Sequence, residues 1–156
     1  QVLPLFNEKL CVVASRTHPL ATRRNLQWDE LLRQRWVMSP ADCFFYEFVQ
    51  RTLDRLDMPM PHHVVEALSI QTQFAMVLHA GMLGFGMRSA LQFAPGKDFL
   101  VRLPFDLPVV GHDVCAVMLK SHTPSPLAQQ LVGHIRDLVA ESSPVRQVAQ
   151  PMAAGD

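Results

Sequence analysis

This 156-residue sequence lacks the features that mark several common functional classes. Its 14 basic and 14 acidic residues balance, so there is no electrostatic reason to expect direct binding to nucleic acid or to an anionic membrane. No apolar run approaches the ~20 residues needed to span a bilayer. Residues 1–6 lack the basic and apolar regions of a secretory signal. The composition is typical of a globular protein of one domain, or one domain and part of another.

Cysteine is scarce, and its pattern does not suggest a disulfide framework. Cys11, Cys43 and Cys115 are widely spaced and odd in number. Buried free thiols in a reducing compartment are therefore favoured over disulfides. We expect a cytoplasmic protein.

Recognisable catalytic and metal-binding motifs are also absent. There is no Gly-rich phosphate loop and no Gly-x-Ser-x-Gly elbow. His62 and His63 are adjacent, so on a strand they would point to opposite faces, and the other histidines lack a ligand spacing such as H-x-x-x-H. Cys43 is either a reactive thiol beside a helix start or an inert one, and the inert interpretation is favoured. We expect no enzyme, no cofactor, no metal and no catalytic residue.

Apolar runs alternating with amphipathic segments predict alternating strands and helices. Leu10–Ala14 is a continuous apolar run, as expected of a strand buried on both faces. An amphipathic helix follows over about 43–56, and Ser69 suits the N-cap of another helix, which Gly81 would end. Further strands are predicted over 36–38, 62–67, 83–87, 99–103 and 112–119, and further helices over 28–33, 88–93 and 126–140. This alternation predicts βαβ units and a largely parallel sheet covered on both faces.

Several short segments occur in a characteristic order along residues 3–140. They are THPLA at 17–21 after the first strand, EALS at 66–69, VLHAG at 77–81, FLVRLP at 99–104 and TPSPLA at 123–128. Their order and spacing resemble the effector-binding region of LysR-type transcriptional regulators. The chain departs from that family where Leu83 replaces the second glycine of a Gly-x-Gly pair, and where Arg88 occupies a common proline position.

The resemblance implies an α/β, two-lobed fold of the periplasmic-binding-protein-like type 2. Residues 1–8 would end the first lobe and cross to the second, and residues 9–108 would form the second lobe whole. Residues 109–141 would return a strand and a C-terminal helix to the first lobe, and 142–156 would be a flexible tail. The winged helix-turn-helix and most of the first lobe would precede Gln1, leaving about half of the effector cleft.

Ligands of two-lobed α/β sensors bind where the ends of strands face the starts of helices. Two such places are predicted here, at the helix starts near Ser39 and Ser69. Free N–H groups and the positive dipole end there suit a carboxylate. The candidate effector-binding residues are Ser39, Pro40, Cys43, Phe44, Ser69, Ile70 and Arg88. The alternative for the two serines is that they only cap helices, and the favoured alternative for Arg88 is a surface arginine. Candidate hinge residues are Glu8, Lys9, Pro108 and Gly111.

The resemblance therefore implies the effector-sensing domain of a bacterial LysR-type regulator. A small molecule, expected to carry a carboxylate, would bind between two lobes and control DNA binding by the absent N-terminal domain. A homodimer or tetramer is expected, with DNA contacted only through that domain and no membrane partner. The alternative is a solute-binding protein of a transport system with the same fold, and an enzyme on this fold has the least support.

Overall fold

The computed structural model describes residues 2–62, 64–93, 98–107, 111–119, 121 and 124–141. These residues form two compact units, a smaller one from 2–8 and 111–141 and a larger one from 9–107. None of the helices in this part of the chain has the length and apolar character that crossing a bilayer requires.

Secondary structure follows the predicted alternation, with an additional strand at the start and one 3₁₀ turn at Pro19–Thr22. The strands are β1 (Val2–Glu8), β2 (Leu10–Ser15), β3 (Trp36–Met38), β4 (Val64–Glu66), β5 (Leu83–Met87), β6 (Leu100–Arg102) and β7 (His112–Val117). The helices are α1 (Trp28–Leu32), α2 (Phe44–Asp54), α3 (Ile70–Ala80), α4 (Arg88–Phe93) and α5 (Pro126–Glu141).

The larger unit contains a five-stranded sheet in the order β4-β3-β5-β2-β6. Strand β3 pairs in parallel with β4 and β5, whereas β2 pairs antiparallel with both β5 and β6. The prediction of a largely parallel sheet was therefore wrong, and the sheet is mixed. The continuous apolar run of β2 indicates a strand that is buried on both faces. A central strand is buried in this way whether it runs parallel or antiparallel to its neighbours.

Alternate residues of β2 belong to the two faces of this sheet and to two separate cores. Leu10, Val12 and Ala14 join the core that also contains buried residues of α1 and α2. Cys11 and Val13 join the core that contains Val77 of α3. Because successive strand side chains point to opposite faces, the sheet is covered on both sides by helices.

A cluster of aromatic side chains packs in the core that contains residues of α1 and α2, which we call the first core. The Trp28 and Trp36 rings meet edge to face at a centroid distance of 5.8 Å, and Phe85 lies 4.8 Å from Trp36. Each indole N–H donates to a backbone carbonyl, that of Trp28 to Pro59 at 3.0 Å and that of Trp36 to Leu31 at 2.9 Å. Both tryptophans are thus buried without losing a hydrogen bond.

The smaller unit pairs β1 with β7 in an antiparallel two-stranded sheet, and α5 packs on β1. No residue of α5 is buried, and Leu127, Leu131 and Leu138 are each at least 61% exposed. Among the described residues of this unit only Glu8 is buried. The smaller unit therefore has no apolar core within the described chain.

Candidate functional site

The parallel strands β3, β4 and β5 end at one edge of the sheet, which we call the carboxyl edge. Ser39 follows β3, Ala67 follows β4, and Arg88 follows β5. The Ala67 N–H donates to the Met38 carbonyl at 2.9 Å and extends the pairing of these two strands. The carboxyl edge is thus the place where the predicted site residues of all three strands gather.

Ser39 is buried at this edge, with 5% of its surface exposed. Its Oγ accepts a hydrogen bond of 3.0 Å from Gln73 Nε2. Helix α2 begins only at Phe44, with Cys43 at its N-cap position. The alternative that Ser39 caps a helix is therefore wrong, because its hydroxyl bonds to a side chain of α3 instead.

Gln73 was missed as a site residue from the sequence. Its side chain, 4% exposed, also donates from Nε2 to the Ala67 carbonyl at 2.7 Å. It precedes the buried Val77 by four residues, so both lie on the buried face of α3. A polar residue at an apolar-face position was the available signal, because such a group is hydrogen-bonded when buried.

Ser39, Gln73 and Tyr46 line a narrow crevice. The crevice encloses about 180 Å³ of non-atom space, part of which is open solvent. Its apolar walls come from β3, β5 and α2 and include Val37, Met38, Phe45, Val49 and Phe85. Within it there is no space for even a water molecule, so the crevice is closed and holds no part of a ligand in this structure.

The two predicted helix starts differ in how their free N–H groups are satisfied. At α3, Ser69 Oγ accepts from the Thr72 N–H at 3.5 Å and donates to Gln71 Oε1 at 2.7 Å, so this serine is an N-cap. At α2, no side chain of the described residues caps the helix. Cys43 is half-buried there, and its N–H donates to the Pro40 carbonyl at 3.0 Å.

Two apolar candidates lie next to these helix starts on the surface. Phe44, the first residue of α2, is 80% exposed, and Ile70, the first residue of α3, is 43% exposed. Leu68, just before α3, is 78% exposed. The carboxyl edge therefore presents apolar side chains beside the crevice.

Arg88 begins α4 directly after β5 and is half-buried. Its backbone N–H donates to the Lys9 carbonyl at 3.0 Å, which fixes its position beside the first strand of the larger unit. Its guanidinium forms no ion pair with the described residues. Arg88 therefore supplies a cation at the carboxyl edge that no described carboxylate neutralises.

The predicted hinge residues fall where the chain passes between units, and their role stays a prediction. Glu8 ends β1 in the smaller unit and Lys9 begins the larger one. At Gly111 an added Cβ would overlap the Asn7 side chain and the Glu8 carbonyl, so only glycine fits. Pro108 lies outside the described residues.

In the described part of the chain, no three His, Cys, Asp or Glu side chains are grouped closely enough to hold a metal ion. All three cysteines are free thiols. The carboxyl edge therefore provides hydrogen bonds, a helix start and a cation, which are means of binding.

Comparison with known proteins identifies the family. The family description "LysR substrate binding domain" matches residues 1–140. The chain belongs to the LysR substrate-binding domain family. This confirms the predicted family and the predicted periplasmic-binding-protein-like fold class.

One relative of this LysR-family chain is distant in sequence. It is 25% identical over 140 residues to the HTH-type transcriptional regulator GalR of Pseudomonas putida, a match over 90% of this chain and 35% of GalR. The chain thus spans about a third of that regulator's length.

Among the solved structures with the same fold are two ligand complexes. The CcmR regulatory domain of Synechocystis PCC6803, in complex with 2-PG, has a TM-score of 0.68 and 19% identity, covering 88% of this chain and 66% of that one. The effector binding domain of QuiR in complex with shikimate has a TM-score of 0.62 and 15% identity, covering 91% and 66%.

Proposed function

We propose that this chain is the effector-sensing part of a bacterial LysR-type transcriptional regulator that acts in the cytoplasm. Membership of the LysR substrate-binding domain family and similarity to the regulator GalR support this role. DNA would be bound by a winged helix-turn-helix domain outside the present sequence. The alternative of a transport protein is not favoured, because the relative GalR is a regulator.

The effector is proposed to be a small carboxylate-bearing molecule bound at the carboxyl edge. The uncapped start of α2 carries the proposal, because its first-turn N–H groups and positive dipole end favour an anion. Arg88 adds a cation at the same edge. The proposed contact residues are Ser39, Pro40, Cys43, Phe44, Ser69, Ile70 and Arg88.

Regulation is proposed to work by population shift. The effector would bind one conformation of the regulator more tightly than another and so increase its population. The shift cannot exceed the difference in binding free energy between the two conformations. A homo-oligomer, dimer or tetramer, would pass the change to the DNA-binding domains.

The role of Arg88 is tested by replacing it with glutamine. We expect Arg88→Gln to weaken binding of a carboxylate at least about tenfold, because a charge-assisted hydrogen bond is lost. Calorimetric titration with small carboxylates such as shikimate measures the affinity. Arg55→Gln, at the exposed C-terminal end of α2, is the matched control and should bind as the parent does.

A second variant separates anion binding from helix capping at Ser69. Ser69→Asp keeps an N-cap oxygen, so the free energy of unfolding should change little. Its negative charge should repel a bound carboxylate and lower the affinity. Unchanged affinity in both Arg88→Gln and Ser69→Asp would contradict binding of the carboxylate at this edge.

A further inference from the structure

One buried side-chain amide joins the ends of two strands to helix α3. Gln73 Nε2 donates one hydrogen to Ser39 Oγ at 3.0 Å and the other to the Ala67 carbonyl at 2.7 Å. Ser39 follows β3 and Ala67 follows β4. Ser39 and Gln73 are at most 5% exposed, and the crevice beside them has no space for a water molecule, so a bond lost there cannot be replaced by solvent. We call these two bonds the Gln73 latch.

The Ala67 carbonyl fixes the orientation of this amide. A reversed amide would place Oε1 at 2.7 Å from the carbonyl oxygen, and two acceptors repel at that distance. The hydrogen directed at Ser39 is therefore set by the bond to Ala67. Replacing Ser39 consequently removes one bond of the latch and leaves the other in place.

Ser39 begins the turn that leads into helix α2. The Cys43 N–H donates to the Pro40 carbonyl at 3.0 Å and closes this turn, and Cys43 occupies the N-cap position of the helix. The Cys43 carbonyl accepts from the Glu47 N–H at 3.2 Å, which joins the turn to the helix. One end of the turn is thus held by Gln73, and its other end carries the first N–H groups of α2.

The first turn of α2 has little other anchorage. Phe44 is 80% exposed, Phe45 and Tyr46 are half-buried, and the first buried residue of the helix is Phe48. No side chain of the described residues caps this helix start. The position of these N–H groups therefore depends on the turn that precedes them.

Helix α3 is anchored to the sheet without any help from α2. The Gln73 N–H donates to the Ser69 carbonyl at 3.0 Å, so Gln73 lies at the first turn of α3. Val77, one turn later on the same face, is 1% exposed in the second core. The Ala67 N–H donates to the Met38 carbonyl at 2.9 Å and pins the end of β4 to β3. The latch extends this anchorage to the turn before α2.

We propose that Gln73 is a positioning residue for the effector. Through Ser39 it holds the turn before α2, so that the uncapped N–H groups of that helix meet the carboxylate. This inference rests on the proposed function, in which the carboxylate lies at the start of α2. Gln73 itself does not touch the ligand, because the crevice around its amide is closed.

The first test measures hydrogen exchange of the full chain without a ligand. The Cys43 N–H reports on the turn that it closes, and amides of β2 report on opening of the whole larger unit. Ser39→Ala and Gln73→Met should each speed exchange at Cys43 about fivefold or more, because the loss of one hydrogen bond of ordinary net strength corresponds to roughly this factor.

Val77→Ala is the matched control, since it destabilises the same face of α3 by creating a cavity but breaks no bond of the latch. It should speed exchange of the β2 amides, as the latch variants do, and leave the Cys43 rate within about twofold of the parent. A Cys43 rate that rises equally in all three variants overturns the proposal, because the turn then opens only together with the whole unit.

The second test measures carboxylate binding by calorimetry, with shikimate, succinate and benzoate as probes. Ser39→Ala and Gln73→Met should each weaken binding about fivefold or more, whereas Val77→Ala should bind as the parent does despite its lower stability. The double variant of Ser39 and Gln73 should bind about as weakly as Gln73→Met alone, because both changes break the same connection. Losses that multiply in the double variant indicate two separate ligand contacts and overturn the positioning role.

Failures of the two proposals are distinguishable. Parent-like affinity in both latch variants overturns the positioning role and leaves carboxylate sensing intact. Absence of binding of all three probes by the parent counts against the proposed function itself, and the positioning role falls with it. If Gln73→Met does not fold, Ser39→Ala decides, because it keeps the bond from Gln73 to Ala67.

Discussion

His18 is buried, with 7% of its surface exposed, and its Nδ1 accepts a hydrogen bond from the Leu20 N–H at 3.1 Å. This bond caps the 3₁₀ turn that follows β2. Burial lowers the pKa of the His18 imidazole below its ordinary value of 6.5. An imidazolium has no acceptor nitrogen, so protonation would break the cap as well as bury a charge.

Protonation of His18 should therefore destabilise the larger unit in mild acid. The unfolded chain takes up this proton at a higher pH than the folded chain. The stabilisation is thus complete above about pH 6.5 and is lost as the pH falls from there through the lower folded pKa. The slope from one proton is at most about 1.4 kcal/mol per pH unit.

The variant His18→Asn keeps a cap acceptor and removes the titration. Denaturant unfolding measured from pH 7.5 to pH 5 should show a smaller loss of free energy of unfolding than in the parent. His62→Asn, at an exposed loop position, is the control and should retain the parent's pH dependence. Identical pH dependence in His18→Asn and the parent would assign the acid sensitivity to other groups.

Helix α3 has a side-chain N-cap and helix α2 has none among the described residues, and replacing the Cys43 sulfur with an oxygen tests the effect of this difference. Cys43 has N-cap geometry but makes no side-chain bond to the first turn, whereas Ser69 caps α3. Cys43→Ser should add a cap and raise the free energy of unfolding by about 0.5–1 kcal/mol. The same serine should lower carboxylate affinity, because it occupies N–H groups that the ligand would use.

Cys115→Ser, in β7 and away from any helix start, provides the matched exchange for that measurement. It should change neither the stability of the larger unit nor carboxylate affinity. A Cys43→Ser variant that is no more stable than the parent would show that the hydroxyl does not reach the first-turn N–H groups.

Local patterns were enough to predict elements but not all of their pairings. Helix α3 begins after Ser69 and ends before Gly81, whose φ of 62° is left-handed, as the cap signals predicted. The direction of β2 was not predictable, because an apolar run carries no direction. Gln73 was missed for a related reason, since its partner Ser39 is 34 residues away and comes near it only because β3 pairs with β4.

The two units differ in how well their apolar surface is covered. The larger unit has two cores, one on each face of its sheet. The smaller has a two-stranded sheet and a helix with no buried residue. Because a two-stranded sheet is marginally stable in water, the two units should open with different free energies.

Hydrogen exchange of the isolated chain should reveal this difference. Amides of β1, β7 and α5 should exchange at least about a hundredfold faster than those of β2, β3 and β5, which lie between two cores. The β6 edge strand provides an internal reference for an exposed edge in the larger unit. Equal protection in both units would mean that they open together, or that the apolar face of α5 is covered in solution.

The two edge-to-face tryptophans make the intrinsic fluorescence of the protein sensitive to changes in the first core. The chain has two tryptophans, and both lie in the first core of the larger unit. Trp36 is packed on Phe85, and Phe85 also lines the crevice. A ligand at the carboxyl edge that shifts Phe85 should therefore alter the intrinsic emission of the protein without any label, and its binding can be followed in real time by light.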